Sequence, residues 1–174
     1  MPTWKLGLRA LTPMVAVQLY YFWKHRAFVS RRAEVDLASS TDWGPGCVIS
    51  AFTKVKIADR FVMGRRVHIA TGCFIGAGGQ GLVLGDNVMI GPNCTIVTSN
   101  YRFDRLDVPL HEQGIESKGI RIGHRVWVGA NSVVLDGAEI GDNVIVSAGS
   151  VVSGRVAPNT IVHGNPLKVI FTRR

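Results

Sequence analysis

The sequence predicts an all-β chain folded as a parallel β-helix, with a short N-terminal helix and one long loop. Three observations carry this reading. An aliphatic residue recurs every six positions through the middle and end of the chain, glycine often follows it, and the residue four places on is small or apolar. The length of 174 residues suits one domain with a substantial core. With 47% apolar and 18% charged residues, the composition excludes an intrinsically disordered chain. No apolar run reaches the roughly 20 residues of a membrane-spanning helix. Cys47, Cys73 and Cys94 form neither a zinc pattern nor a disulfide framework, which points to a reducing compartment.

Taken in order, residues 11–23 are apolar and aromatic, with Pro13 near the start. They are flanked by Lys5 and Arg9 on one side and by Lys24, His25 and Arg26 on the other. The pattern predicts a helix of about 10 residues with proline in its first turn. Two roles stay open for it: a cap over the open end of a solenoid, or a helix lying in a membrane interface. No small-residue cleavage site follows, which argues against a signal peptide. Residues 1–36 are therefore read as a helical, basic segment and residues 37–170 as the β-helix. Residues 171–174 form a basic tail. Gly44-Pro45-Gly46 marks a turn in an irregular opening stretch.

The hexads start at Ile57, Met63, Ile69 and Ile75, resume after an insertion at Gly79-Gln80-Gly81 with Leu84, Ile90 and Ile96, and restart at Ile122, Val128, Val134, Ile140, Val146 and Val152. Glycine follows the aliphatic residue at positions 64, 76, 85, 91, 123, 129 and 141. A strand alternates faces with period two. A turn every six residues therefore makes short flat strands whose aliphatic residues point into one core, and three hexads close a triangular coil. A β-sandwich would space its strands by roughly 8–12 residues instead. Fixed-period self-similarity is the mark of a solenoid.

Between Ile96 and Ile122 the period breaks, and the loop over residues 97–119 is polar and aromatic. A long irregular excursion from a rigid scaffold is usually functional. His68, on the outside of an early coil, and His111, in the loop, are candidate proton acceptors, because imidazole titrates near neutrality. His124 and His163 sit at turn positions where an exposed or structural histidine is ordinary.

Residues 57–168 resemble the hexapeptide-repeat acyltransferases, and the resemblance implies a left-handed β-helix. Val126-Trp127-Val128-Gly129-Ala130, Ser147-Ala148-Gly149-Ser150-Val151-Val152 and Gly164-Asn165-Pro166-Leu167-Lys168-Val169-Ile170 are most similar to bacterial sugar O- and N-acetyltransferases of the maltose, nodulation-factor and exopolysaccharide types. The resemblance implies acetyl-CoA as donor, a sugar or nucleotide-sugar acceptor, a homotrimer with sites between subunits, and a cytoplasmic protein, with a position at the inner face of the membrane left open by the N-terminal segment.

In similar enzymes a histidine directly after the loop asparagine is the general base. Here Tyr101 follows Asn100. A phenol with a pKa near 10 is a poor base at neutral pH. Three explanations stay open: a substitute base, His111 or His68; an acceptor-orienting role for Tyr101, with catalysis by proximity and electrostatics; or a weak or inactive member serving as a binding scaffold. Asp104 matches an acid often found in this loop and is a candidate to orient a base or hold a sugar hydroxyl.

For the donor, Gly129 and Ala130 in one coil and Ser147, Ala148 and Gly149 in the next offer a line of small residues along which a pantetheine arm can approach the backbone. Trp127 is implied to border the site. Lys168 and Arg173, with Arg174, are candidates to pair with the CoA phosphates. A metal-dependent carbonic anhydrase on the same fold would need converging histidines, and no His-x4-His pair is present, so no metal is expected. Nucleic-acid binding is disfavoured because aromatic and basic residues do not interleave. Of the formal net charge of +8, residues 1–66 supply +7, from 11 basic and 4 acidic residues. The excess suits an anionic membrane surface or a polyanionic acceptor better than the CoA phosphates.

Overall fold

The computed structural model describes residues 14–174. Helix α1 (Met14–His25) leads into short strands that visit three sheets in strict rotation. Face A stacks Phe28–Val29, Val48–Ile49, His68–Ile69, Met89–Ile90, Trp127–Val128, Ile145–Val146 and Thr160–His163. Face B stacks Glu34–Val35, Lys54–Ile57, Phe74–Ala77, Thr95–Val97, Val133–Val134 and Val151–Val152. Face C stacks Thr41–Trp43, Phe61–Met63, Leu82–Leu84, Ile120–Ile122, Glu139–Ile140 and Arg155–Val156. All pairings within these ladders are parallel, as in Met89 with Trp127 and Ile90 with Val128. The result is a triangular solenoid whose coils stack about 4.8 Å apart. Lys168–Thr172 closes face A as an antiparallel edge strand on Thr160–His163.

The aliphatic period works as the sequence predicts. Ile49, Ile69, Ile90, Val128, Val146 and Val162 form one inward column behind face A, each at most 2% exposed. Each such side chain contributes about 1.5–3 kcal/mol by leaving water. The second inward residue of each strand is matched to its corner. Where face A turns into face B the column is Thr53, Cys73, Cys94, Ser132 and Ser150, all buried. Their side chains donate to corner carbonyls: Thr53 to Ala70 at 2.8 Å, Cys73 to Gly91 and Cys94 to Gly129 at 3.2 Å, and Ser150 to Ser147 at 2.6 Å. Where face B turns into face C there is more room, and Phe61, Leu82 and Ile120 fill it.

Glycine after the aliphatic residue is explained by stacking. At the corner from face C to face A, Gly44, Gly64, Gly85 and Gly123 lie above one another; a Cβ on Gly85 would sit 2.7 Å from the Gly123 carbonyl carbon. The left-handed turns of this corner fall two positions after each glycine, at Gly46, Arg66, Asn87, Arg125 and Asn143, and at Asn159 in the last coil. These corner side chains chain together, with Arg66 Nε donating to Asn87 at 2.8 Å and Arg125 Nε to Asn143 at 2.7 Å. His124 is part of the same corner, where its Nδ1 accepts the Asp86 N–H at 2.9 Å. The Arg65 backbone N–H, then the Arg65 guanidinium and His124, hold the Asp86 carboxyl below its ordinary range.

The first coil is closed by an aromatic cap. Tyr21 stacks on Trp43 with ring centroids 4.3 Å apart, and Trp43 meets Phe61 edge-on at 5.5 Å. Tyr21 donates its hydroxyl to the Asp36 carbonyl at 2.6 Å. His25, also buried, accepts the Trp43 N–H on Nδ1 at 3.3 Å, and its Nε2 meets Thr41 Oγ1 at 3.2 Å. Burial, then the neighbouring Lys24 charge, lowers the His25 pKa.

Four sequence expectations are corrected. The ladder opens at Phe28, which pairs with Val48, well ahead of the expected start at residue 37. Ile57 is not a hexad starter: Val55 pairs with Ile75, and Ile57 extends the strand into the roomy corner opposite Ala77. Early coils are consequently longer than three hexads, as the in-register stack Val48, His68, Met89 shows. The helix runs through His25, past its expected end at Trp23, because His25 packs into the cap; the expected start at residue 11 and Pro13 lie outside the described residues. Phe171 and Thr172, assigned to a tail, are in the edge strand, where their backbone pairs with Ile161 and Thr160.

Gly85→Ala is expected to destabilise the fold by about 1–3 kcal/mol, because backbone must shift to admit the methyl. Gly154→Ala, where a Cβ meets nothing within 4 Å, is the matched control with little change. Chemical denaturation of the two variants checks this. The His25 pKa is lower in the folded than in the unfolded chain, whose value is about 6.5. Its contribution to stability is therefore complete above that value and is lost as pH falls through the folded pKa. Thermal melts from pH 8 to pH 5 should show a falling melting temperature, and His25→Gln should flatten that trend.

Candidate functional site

The loop leaves the solenoid at the corner between faces B and C, and its base is pinned by polar groups. Thr98, buried at the exit, accepts the Gly78 N–H on Oγ1 at 2.8 Å. Ser117, at the return, accepts the Gln80 N–H at 3.0 Å and donates to the Thr98 carbonyl. The Asp136 carboxylate accepts the N–H groups of Lys118 and Gly119 at 2.9 and 2.8 Å. Between these points Asn100–Tyr101 and Ile115–Glu116 pair as an antiparallel ribbon. Gln113 shapes the outer half, donating to the Arg105 and Val108 carbonyls at 2.7 and 2.8 Å and accepting the Arg105 N–H at 3.0 Å. The loop is thus a built arm. Its apolar side chains face outward: Phe103, Leu106, Leu110 and Ile115 are all exposed.

The predicted arm residues are placed as follows. Asn100 accepts the Tyr101 N–H on its own side chain at 2.9 Å, and the Tyr101 ring is half exposed. Asp104 faces Arg102 of the same arm at 3.4 Å. His111 lies on the single turn Leu110–Glu112, exposed, with Glu112 Oε1 3.6 Å from its Nε2.

The donor-side residues and His68 gather elsewhere, on face A and its edge. His68, Met89, Trp127 and Ile145 form one outward column in register. His68 Nε2 meets Ser50 Oγ at 3.3 Å. Met89 and Trp127 are each about half exposed, at 50% and 48%, so the column presents an apolar stripe. Beside it runs a ledge of small residues at the corner from face A to face B. The coils here are too close for anything larger than glycine at two points: a Cβ on Gly91 would lie 2.8 Å from the Ala130 nitrogen, and one on Gly129 2.5 Å from the Ala148 nitrogen. Within the ledge the Gly129, Ser147 and Gly149 N–H groups are spent on the Val146, Val162 and Ala130 carbonyls. The Ala130 and Ala148 N–H groups find no partner among the described residues. Gly149 has open space over its α-carbon.

The two basic candidates part company. Lys168 pairs with His163 at the ledge end of the edge strand. Arg173 lies across face A, its guanidinium donating to the Asn143 carbonyl at 2.9 Å and its N–H to the Asn159 carbonyl. An open concavity of about 990 Å³ is lined by Ile161 and residues 169–174, so of the candidates it holds Arg173 and Arg174 but not Lys168.

In a triangular coil the corner between faces B and C is the one opposite face A. The arm with Asn100, Tyr101, Asp104 and His111 therefore springs from the far side of the solenoid from His68 and Trp127. Sequence reasoning missed Thr98, Ser117, Gln113 and Asp136. Only Thr98 carried a usable signal, standing two positions beyond the inward Ile96 where an apolar residue would extend the strand. Among the described residues no cluster of histidine, cysteine or carboxylate side chains could hold a metal ion.

Residues 119–154 match the family model for the bacterial transferase hexapeptide of six repeats. The chain is 35% identical over 94 residues to galactoside O-acetyltransferase of Escherichia coli (strain K12), covering 51% of this chain and 43% of that one. It thus spans less than half the length of that relative. It is 31% identical over 152 residues to WbbJ of the same organism, named for lipopolysaccharide biosynthesis O-acetyl transfer, covering 82% of this chain and 74% of that one. Among solved structures it superposes on AntD, an N-acyltransferase from Bacillus cereus in complex with dTDP and 3-hydroxybutyryl-CoA, with a TM-score of 0.77 at 20% identity over 86% of this chain and 81% of the other. The repeat, the three-faced solenoid and these likenesses agree, and the chain belongs to the hexapeptide-repeat transferase family.

Proposed function

We propose that the protein transfers an acetyl group from acetyl-CoA to a hydroxyl or amine of a sugar, the acceptor being a polysaccharide precursor or a nucleotide sugar, in the bacterial cytoplasm. The observation that carries this is the ledge beside Trp127. Its unpartnered Ala130 and Ala148 N–H groups suit the amide carbonyls of a pantetheine arm, and its glycines let the chain approach the backbone. Lys168, at the ledge end of face A, suits a phosphate of the same ligand. Arg173 lies across that face with its guanidinium already donating to a carbonyl, which weakens its claim. The likeness to WbbJ and to galactoside O-acetyltransferase supports a sugar acceptor.

The active unit is a homotrimer. One chain holds the ledge and the arm at the two ends of face B, with Trp127 on the face opposite the arm, so a complete site takes the arm of one subunit and the ledge of its neighbour. The outward apolar residues of the arm, Phe103, Leu106 and Ile115, and the stripe of Met89 and Trp127 then cover one another. In this site a histidine accepts the proton of the acceptor as its oxygen or nitrogen attacks the thioester carbonyl. The tetrahedral adduct collapses with loss of the CoA thiolate, which takes up a proton. His111 is the base we favour, because it rides on the arm, exposed to an incoming acceptor, with Glu112 Oε1 3.6 Å from its Nε2. Tyr101 and Asn100 then face the acceptor. His68 is the alternative base, on the same face as Trp127.

A second reading is a non-catalytic binding scaffold, favoured by Tyr101 in the place of a histidine. Release of free thiol from acetyl-CoA across a panel of sugars and nucleotide sugars separates the two. Turnover with one acceptor supports the transferase, and CoA binding without turnover supports the scaffold. In an active enzyme His111→Ala should lower kcat by roughly 10²–10⁴-fold. If His111→Ala and His68→Ala both keep wild-type rates, the substitute-base assignment is wrong. Trp127→Ala should also impair transfer. Mixed with His111→Ala and reassembled, it should recover activity at roughly a quarter of the sites, since only some neighbour pairs combine an intact arm with an intact face. No recovery would show that arm and ledge act within one chain.

A further inference from the structure

We propose that the capped end of the solenoid is a docking surface for an anionic lipid bilayer, with helix α1 lying in the interface. Helix α1 buries Val17, Tyr21 and His25 against the first coil and turns Val15, Leu19, Phe22 and Trp23 outward. Trp23 is 80% exposed, Phe22 56%, and Phe28, the first residue of face A, 60%. Between the helix and the first strand a shallow apolar groove of about 230 Å³ runs along Val15, Leu19, Phe22 and Phe28. A cluster of exposed large apolar side chains rimmed by charged residues at one end of a protein marks a contact.

The charge around the patch selects the partner. Lys24, Arg26, Arg31 and Arg32 all precede Glu34, the first carboxylate in the chain. Lys24, Arg26, Arg31 and Arg32, on the helix and the first coil, are exposed, with Lys24 Nζ on the Tyr20 hydroxyl at 3.0 Å and the Arg32 guanidinium 5.8 Å from the Phe52 ring centroid. Glu34 itself is taken by Lys54 and Lys56 at 3.2 and 2.8 Å. An apolar, aromatic surface with an excess of exposed cations on the same helix and first coil fits the headgroup layer of an anionic bilayer, where tryptophan, phenylalanine and leucine enter the acyl boundary and lysine and arginine meet phosphate. A second copy meeting end to end would set the same positive charges against one another. A nucleic acid would use the cations but leave Val15 and Leu19 in water. Among the described residues no helix is long and apolar enough to cross a membrane, so docking here is on the surface. Phe28 and His68 share the face A column, two coils apart or about 10 Å. A bilayer at this end therefore lies close to the proposed site without covering Trp127. The inference does not rest on acetyl transfer.

The test is co-sedimentation of the full chain with vesicles. Vesicles of phosphatidylglycerol mixed with phosphatidylcholine should bind it, pure phosphatidylcholine should bind it weakly, and high salt should release it. Phe22→Ser with Trp23→Ser should abolish binding. Arg31→Gln with Arg32→Gln should weaken it by roughly 30-fold. Both pairs alter exposed side chains, so circular-dichroism melts matching the wild type confirm that they fold. Wild-type binding that is absent or equal for the two lipids overturns the proposal, as does unchanged binding by the variants. A drop in oligomeric mass of the Phe22, Trp23 variant by light scattering also overturns it, since the patch would then be a subunit interface.

Discussion

The in-register parallel stacking of coils is the constraint on which the rest of the structure depends. Neighbouring coils sit about 4.8 Å apart, the spacing of a hydrogen-bonded ladder. Every residue therefore lies over its counterpart in the next coil and must suit it. That is why Gly64, Gly85 and Gly123 form a column in which a methyl group would meet backbone. It is also why the corner column of Thr53, Cys73, Cys94, Ser132 and Ser150 keeps one size and one habit, each buried and most bonded to a corner carbonyl. A solenoid has no second layer to absorb a misfit, so local spacing and global register are the same requirement.

The same geometry distributes the chemistry. A triangular coil has three outward faces and three corners, and a side chain on one face cannot reach the opposite corner. The ledge at the corner from face A to face B gains its small residues from stacking alone. The resulting exposure of the Ala130 and Ala148 N–H groups is a by-product that a narrow amide-bearing ligand can use. The arm is different in kind. It is held at its base by Thr98, Ser117 and Asp136, and beyond that its own side chains organise it. A rigid scaffold carrying a self-structured excursion is the usual way a repeat protein acquires a site.

The two ends of the solenoid are finished in different ways. The far end turns back an antiparallel strand, Lys168–Thr172, which pairs the last rung of face A. The near end is covered by helix α1 through the stack of Tyr21, Trp43 and Phe61. Exposed edges invite association with other chains, and both devices occupy an edge. The cap does so while leaving its outer flank apolar and its surroundings positive.

The fold was largely legible in the sequence. The six-residue period from Met63 onward names the inward residues of all three faces, and the resemblance to known transferases implied the donor and the loop. Legibility failed where a coil exceeded three hexads. Val55 was passed over for Ile57, and the strands at Phe28 and Glu34 were missed, because the first coils carry extra residues at one corner and break the count. The candidate site was legible only as a set of residue types. Trp127, Gly129, Ala130, Ser147, Ala148, Gly149 and Lys168 do gather along face A and its edge, whereas Arg173 and the arm do not join them. By itself the sequence determined the repeat, the identity of the core and the place of the interruption, since a period is a local property. Only the tertiary structure decided which corner carries the arm and which face carries Trp127. Those positions depend on how many residues each preceding turn consumes, a sum over the whole coil that no single motif encodes.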